Sequence, residues 1–142
     1  MFTSYGKLHY DDAEGLRLVL QLDQDISDYY RVLIPPYYRV SKQGWRAHLT
    51  VVRPGNDSPG KIRYWGDYEG EQVEFIYSPY LENGHGFYWF NAWSKRLEAI
   101  REELGLFNTS KFALKPNGFD KTFHCTVGRY NEIFDNKDAP EK

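Results

Sequence analysis

Two stretches of the chain carry the same pattern of reactive side chains. His48-Leu49-Thr50-Val51-Val52-Arg53 and His124-Cys125-Thr126-Val127-Gly128-Arg129 agree at His, Thr, Val and Arg, in register, once in each half. On an extended strand, residues i and i+2 share a face, so His48 projects with Thr50 and His124 with Thr126. Leu49, Val51, Cys125 and Val127 then turn toward apolar packing. If the two strands lie near each other, two imidazoles and two hydroxyls converge on one cleft. Imidazoles work as base or acid near neutral pH, and hydroxyls can donate to non-bridging phosphate oxygens. The expected chemistry is acid–base cleavage of a phosphodiester without a metal. One imidazole takes the proton of an attacking ribose 2′-hydroxyl and the other protonates the departing 5′-oxygen. The repeat leaves open which histidine is the first base.

Elements able to position these groups can be read from the flanking pattern. Residues 16–22 alternate, with Leu16, Leu18, Leu20 and Leu22 on one strand face. Asp23 is placed to cap a helix through Leu33, with Ile26, Tyr29 or Tyr30, and Leu33 inward; Pro35-Pro36 ends it. Residues 46–53 read as a strand, as do 71–77, where Val73, Phe75 and Tyr77 alternate with polar residues. A turn over Glu82-Asn83-Gly84-His85-Gly86 leads to the aromatic strand Phe87-Tyr88-Trp89-Phe90. Trp93, Leu97, Ile100 and Leu104 recur at helical spacing, with Gly105 at the C-cap, and the last strand runs from Thr122 to Tyr130. The charged tail from Asn136 to Lys142 is expected to be mobile. Strands separated by hairpin-like turns as well as by helices predict an α+β fold, and no composition shift divides residues 1–142.

Paired His-x-Thr motifs, one per half, are the signature of the 2H phosphoesterase superfamily, which the chain resembles. The resemblance implies a two-lobed fold of mostly antiparallel sheets with flanking helices around a central cleft. It implies His48, Thr50, His124 and Thr126 as the catalytic residues, with no cofactor. Ile34-Pro35-Pro36-Tyr37-Tyr38, Ala47-His48-Leu49-Thr50-Val51-Val52-Arg53 and Phe123-His124-Cys125-Thr126 look most like phage anti-CBASS enzymes. Those enzymes destroy cyclic di- and trinucleotide signals, here implying action in the host bacterial cytoplasm. The same motifs also serve enzymes of RNA 2′,3′-cyclic phosphates and of 2′,5′-oligoadenylates. A further reading is a sponge that holds a cyclic nucleotide without cutting it.

Composition points toward a small ligand. Lys plus Arg is 18 and Asp plus Glu 20, a net charge of −2, which disfavours a grip on long nucleic acid. Aromatic residues are 18% of the chain, enough to fill a core and to stack on nucleobases. Tyr10, ending the first strand, and Trp65, beside Gly66, are the expected base platforms. Trp93 is assigned to the helix stripe and the core. A single cysteine excludes an intrachain disulfide and a cysteine-cluster zinc site, and two histidines alone supply too few zinc ligands. Cys125 reads as a small buried residue rather than a nucleophile. His9 and His85 lack a partner motif. Arg53 and Arg129 fall on the opposite face of an ideal strand, so surface ion pairs are expected unless a bulge redirects them. No apolar run approaches a membrane span and no secretion-signal layout opens the chain, so the cytoplasm is the expected location.

Overall fold

The computed structural model describes residues 1–109 and 115–131, so the expectation for 136–142 falls outside the described residues. Strands β1 (Phe2–Tyr10), β2 (Leu18–Leu22), β3 (His48–Val52), β4 (Gln72–Tyr77), β5 (Glu82–Gly84), β6 (Phe87–Trp93) and β7 (Phe123–Arg129) join one seven-stranded sheet. Helices α1 (Gln24–Val32) and α2 (Lys95–Glu103) accompany it. Every pairing between these strands is antiparallel, which makes the fold α+β. No helix among the described residues is long and apolar enough to cross a membrane.

Sheet order explains how distant residues meet. β1 pairs β2 and β2 pairs β3; β4 pairs β6 and β6 pairs β7; β1 and β4 join the two sets. Strand, strand, helix, strand therefore occurs twice, with the β5 hairpin added in the second half. β3 and β7 end opposite sides of the path, and the curled sheet brings them into contact with each other. This nearly closed, barrel-like curvature sets the two motif strands side by side, although no ladder between them is among the strand pairings.

The core is built from the alternating residues. Leu18, Leu20 and Leu22 are buried with Leu49, Val73, Phe75, Phe90, Phe123 and Cys125; each such large apolar side chain stabilises the fold by about 1.5–3 kcal/mol. Leu16 precedes the strand and is only half-buried. Asp23 caps α1 by accepting from the Asp25 N–H, and Ser94 caps α2 by accepting from the Leu97 N–H. α2 ends in a Schellman turn: Leu106 N–H donates to Arg101 C=O, Gly105 N–H to Glu102 C=O, and Gly105 takes φ 84°.

Three local expectations are corrected. Tyr30, at 7% exposure, is buried with Ser27 on the inner face of α1, whereas Tyr29 and Leu33 are 59% and 60% exposed. The helix ends at Val32, so Leu33 is its exposed C-cap rather than part of the buried face. Trp93 is buried but closes β6 rather than joining α2, because Ser94 caps the helix after it. Glu82–Gly84 form a strand, and the turn tightens to His85-Gly86 with φ 52° and 85°. Positive φ at both central positions matches the twist of a two-residue hairpin.

Candidate active site

β3 and β7 carry the repeat as matching half-sites. Leu49, Val51, Cys125 and Val127 are buried, while His48, Thr50 and Thr126 are half-buried and His124 is exposed. His48, Thr50, His124 and Thr126 line one cavity of about 330 Å³, with Trp45, Phe87, Arg17 and Gln43 among its walls. An adjoining recess, also about 330 Å³, shares Thr50, Arg53 and His124 and reaches Asn56 and Lys121. The sheet thus brings together both pairs named from the repeat.

The arginines of the repeat require a different account from a surface ion pair. Leu18 pairs Val52 while Val19 pairs Thr50, which makes Val51 an extra residue in β3. Tyr88 pairs Gly128 while Trp89 pairs Thr126, which makes Val127 an extra residue in β7. Each is a β-bulge, which breaks the alternation of faces. Val51 and Val52 are consequently both buried, and so are Val127 and Gly128; the arginine that follows returns to the outer, His/Thr side. Arg53 lines both cavities. Arg129 is exposed, does not line either, and exchanges backbone hydrogen bonds with Ser41. Among the described residues no carboxylate pairs with either guanidinium. Glycine replaces valine after the second bulge for a steric reason: a Cβ at Gly128 would run into the Val40 side chain.

Each bulge is also held by an arginine from the opposite half. Arg101 of α2 donates to Val51 C=O at 2.6 Å, and Arg31 of α1 donates to Val127 C=O at 3.3 Å. The first of these anchors is deep. Arg101 is 4% exposed, grips both Asp57 oxygens at 3.2 Å, and also donates to Phe107 C=O and Asn108 Oδ1. Asp57 in turn accepts from the Arg53 N–H at 2.8 Å. Burial pushes the Asp57 carboxyl up, but the Arg101 and Arg53 hydrogen bonds hold it below the usual range.

Electrostatics separates the two imidazoles. His48 Nδ1 lies 2.6 Å from Arg46 C=O; a carbonyl only accepts, so Nδ1 carries the proton and Nε2 remains for chemistry. Burial lowers the His48 pKa, the Arg46 carbonyl opposes that shift, and Arg17 and Arg53 add to it. His124 is lowered further, to about 4, by burial and then by Arg53, Lys121 and His48. Although His124 keeps an exposed surface, the protein and cations around it disfavour the imidazolium. A tryptophan stands beside each ring, Trp45 at 5.9 Å from His48 and Trp89 at 6.2 Å from His124. Arg17 stacks on Trp45 at 4.7 Å, and Gln43 donates to Thr126 C=O, tying this wall to β7.

Tyr10 and Trp65 do not line the cleft. Their rings meet edge-on at 4.7 Å, and Trp65 Nε1 donates to Asp12 at 2.9 Å. Tyr10 is packed against the core, and burial raises the pKa of its hydroxyl. The cleft aromatics are instead Trp45 and Phe87, 48% and 44% exposed. Trp45 stands three residues before His48, and Lys121 stands three before His124. That shared offset was the available signal for both. Arg17 and Phe87 had none, because only sheet pairing brings them near. His9 lies beside Glu69 and His85 occupies the hairpin turn. Among the described residues no three His, Cys, Asp or Glu side chains cluster in metal-binding geometry.

Cys125 separates His124 from Thr126 in sequence but is fully buried, with its thiol pushed up to about 12 mainly by burial. The thiolate is the reactive form, so iodoacetamide at neutral pH should leave native protein unlabelled and label it fully after unfolding. Rapid native labelling, followed by mass spectrometry, would contradict the assigned packing.

No known protein family, curated protein or solved structure matches the chain.

Proposed function

We propose that the protein is a phosphodiesterase of the two-histidine type, acting on a small cyclic oligonucleotide without a metal. The observation that carries this reading is the convergence of His48, Thr50, His124 and Thr126 in one cavity from opposite ends of the sheet. The resemblance of the motifs to those of 2H phosphoesterases supports it, and the two-lobed description of that superfamily belongs to the same proposal. Host alarm nucleotides of the kind removed by anti-CBASS enzymes are the proposed biological substrate. The bases rest against Trp45 and Phe87, both partly exposed in the cavity wall that holds the histidines.

The reaction follows from the two protonation states. His124, the more strongly depressed imidazole, is neutral and takes the proton from the ribose 2′-hydroxyl. The oxygen attacks phosphorus while the bond to the 5′-oxygen breaks. His48, the less strongly depressed imidazole, protonates that departing oxygen from Nε2; burial lowers its pKa and the Nδ1–H bond to Arg46 offsets part of that shift. Thr50, Thr126 and Arg53 stabilise charge on the non-bridging oxygens. Water can then open the 2′,3′-cyclic phosphate with the histidine roles exchanged.

Incubation with cyclic dinucleotides, a dinucleotide ending in a 2′,3′-cyclic phosphate, and a 2′,5′-linked adenylate trimer tests the substrate class. Chromatography should reveal linear products from the cyclic dinucleotides, at a rate unchanged by EDTA. Turnover confined to either linear compound would transfer the site to RNA ends or 2′,5′ linkages. Binding with only intact ligand recovered would identify a sponge, and loss of activity in EDTA would overturn the metal-free step. A 2′-deoxy linkage at the cut position should resist cleavage, since it removes the nucleophile.

A further inference from the structure

The two half-sites match at His, Thr, bulge and Arg, yet three residues before each histidine they differ: Trp45 in one and Lys121 in the other. One recess wall is therefore aromatic and the other cationic. Lys121 opens into the cavity that adjoins His124, together with Arg53, Asn56 and Arg101. Arg101 is neutralised there by Asp57. Arg53 and Lys121 have no carboxylate within ion-pair distance among the described residues. Glu98 fixes this segment through backbone bonds, accepting from the Asp120 N–H at 3.1 Å and the Lys121 N–H at 3.4 Å, while its other oxygen pairs with Lys95. Two cations with no ion-pair partner among the described residues thus share a recess in a protein whose net charge is −2. Lys121 Nζ lies 5.5 Å from the centroid of the Phe123 ring.

We infer that this recess is a second phosphate subsite, so that a substrate offers one phosphodiester to the histidine pair and another phosphate to Arg53 and Lys121. The inference rests on the phosphodiesterase reading for its substrate but not for its anion. Like charges held together in a partly enclosed space are costly until an anion enters. Half-burial lowers the Lys121 pKa, with Arg101 and Arg53 adding to that shift and Asp57 opposing it. The same cations depress His124. A bound phosphate offsets this repulsion and raises the basicity of the imidazole that must accept a proton, leaving the larger effect of burial in place. Small cyclic di- or trinucleotides carry the second phosphate within the ring, whereas a nucleoside 2′,3′-cyclic monophosphate has none.

Inorganic phosphate is the probe for the subsite, followed by NMR of the Asn56, Asp57 and Lys121 amides and the His124 ring proton. Saturating amide shifts and a rise in the His124 pKa are expected. Both should survive Thr126→Val, which alters only the first cavity, and weaken at least tenfold in affinity in Arg53→Gln and Lys121→Gln. Each variant is read only with a dispersed, native spectrum, which is expected because neither side chain is in the core. Phosphate affinity unchanged in both charge variants would overturn the subsite.

A second arm uses a cyclic dinucleotide whose uncut linkage is a neutral methylphosphonate. Its KM should rise about tenfold with wild-type protein and respond little to Lys121→Gln; equal KM for both substrates would count against the subsite. Absence of any turnover, with phosphate binding still dependent on Lys121 and Arg53, would overturn the phosphodiesterase reading while supporting the anion site.

Discussion

Alanine at either His48 or His124 is expected to reduce kcat on a cyclic dinucleotide by about 10²–10⁴-fold, the range for a positioned acid or base. The double variant should be little slower than the worse single one, because the two groups act within one step. The substitutions should nevertheless be separable. A dinucleotide analogue with a p-nitrophenolate leaving group needs no proton on departure, so it should restore most of the rate lost in His48→Ala. It should leave His124→Ala slow. Rescue in the opposite sense would exchange the acid and base assignments, and full activity in either alanine variant on the natural linkage would sink the mechanism.

The pH dependence has a definite sign. In the proposed mechanism activity requires neutral His124 and should be lost as pH falls through its pKa, about 4 in the unliganded protein. The same mechanism requires protonated His48, so activity should be lost as pH rises through a pKa below the ordinary imidazole value. The profile of kcat/KM, which reports the free protein, should therefore be a bell with its maximum between about 4 and about 6.5. Arg53→Gln removes a cation next to both rings and should move both limbs upward. A maximum above neutrality would contradict the electrostatic picture.

The second large effect concerns Arg101. Arg101→Met should lower the unfolding free energy by about 3 kcal/mol, measured by denaturant titration. The substitution strands the partly buried Asp57 carboxylate and leaves Val51 C=O at the bulge without its donor. Arg101→Lys should recover little, because an ammonium cannot span the Asp57 oxygens, Val51 and Phe107 as the planar guanidinium does. Arg31→Met removes the corresponding prop from the other half but should cost only about 1 kcal/mol. Its bond to Val127 is longer, at 3.3 Å, and its partner Asp28 is 37% exposed. Equal losses at the two positions would refute the difference in depth between these anchors.

What could be read from sequence was whatever period two controls. Alternation at Leu18, Leu20 and Leu22 and at Val73, Phe75 and Tyr77 located the core faces of β2 and β4. The same rule set His48 with Thr50 and His124 with Thr126, and the repeat identified them as parts of one arrangement. The rule fails where its assumption fails. An extra residue at Val51 and at Val127 reverses the facing of everything after it, so an ideal strand misplaces both arginines. The apolar stripe through Trp93 likewise crosses a strand–helix boundary that Ser94, not hydrophobicity, determines.

Local pattern by itself determined the α+β alternation, the inward and outward faces of most strands, and the four residues of the motif pair. Tertiary structure decided which sequence-distant residues stand beside them, Arg17 and Phe87 in the cleft, and placed Tyr10 with Trp65 elsewhere. The reason is the range of the forces involved. Side-chain facing is set by covalent geometry within a few residues. The meeting of β3 with β7 depends on the order and curvature of a sheet whose pairings join distant parts of the chain.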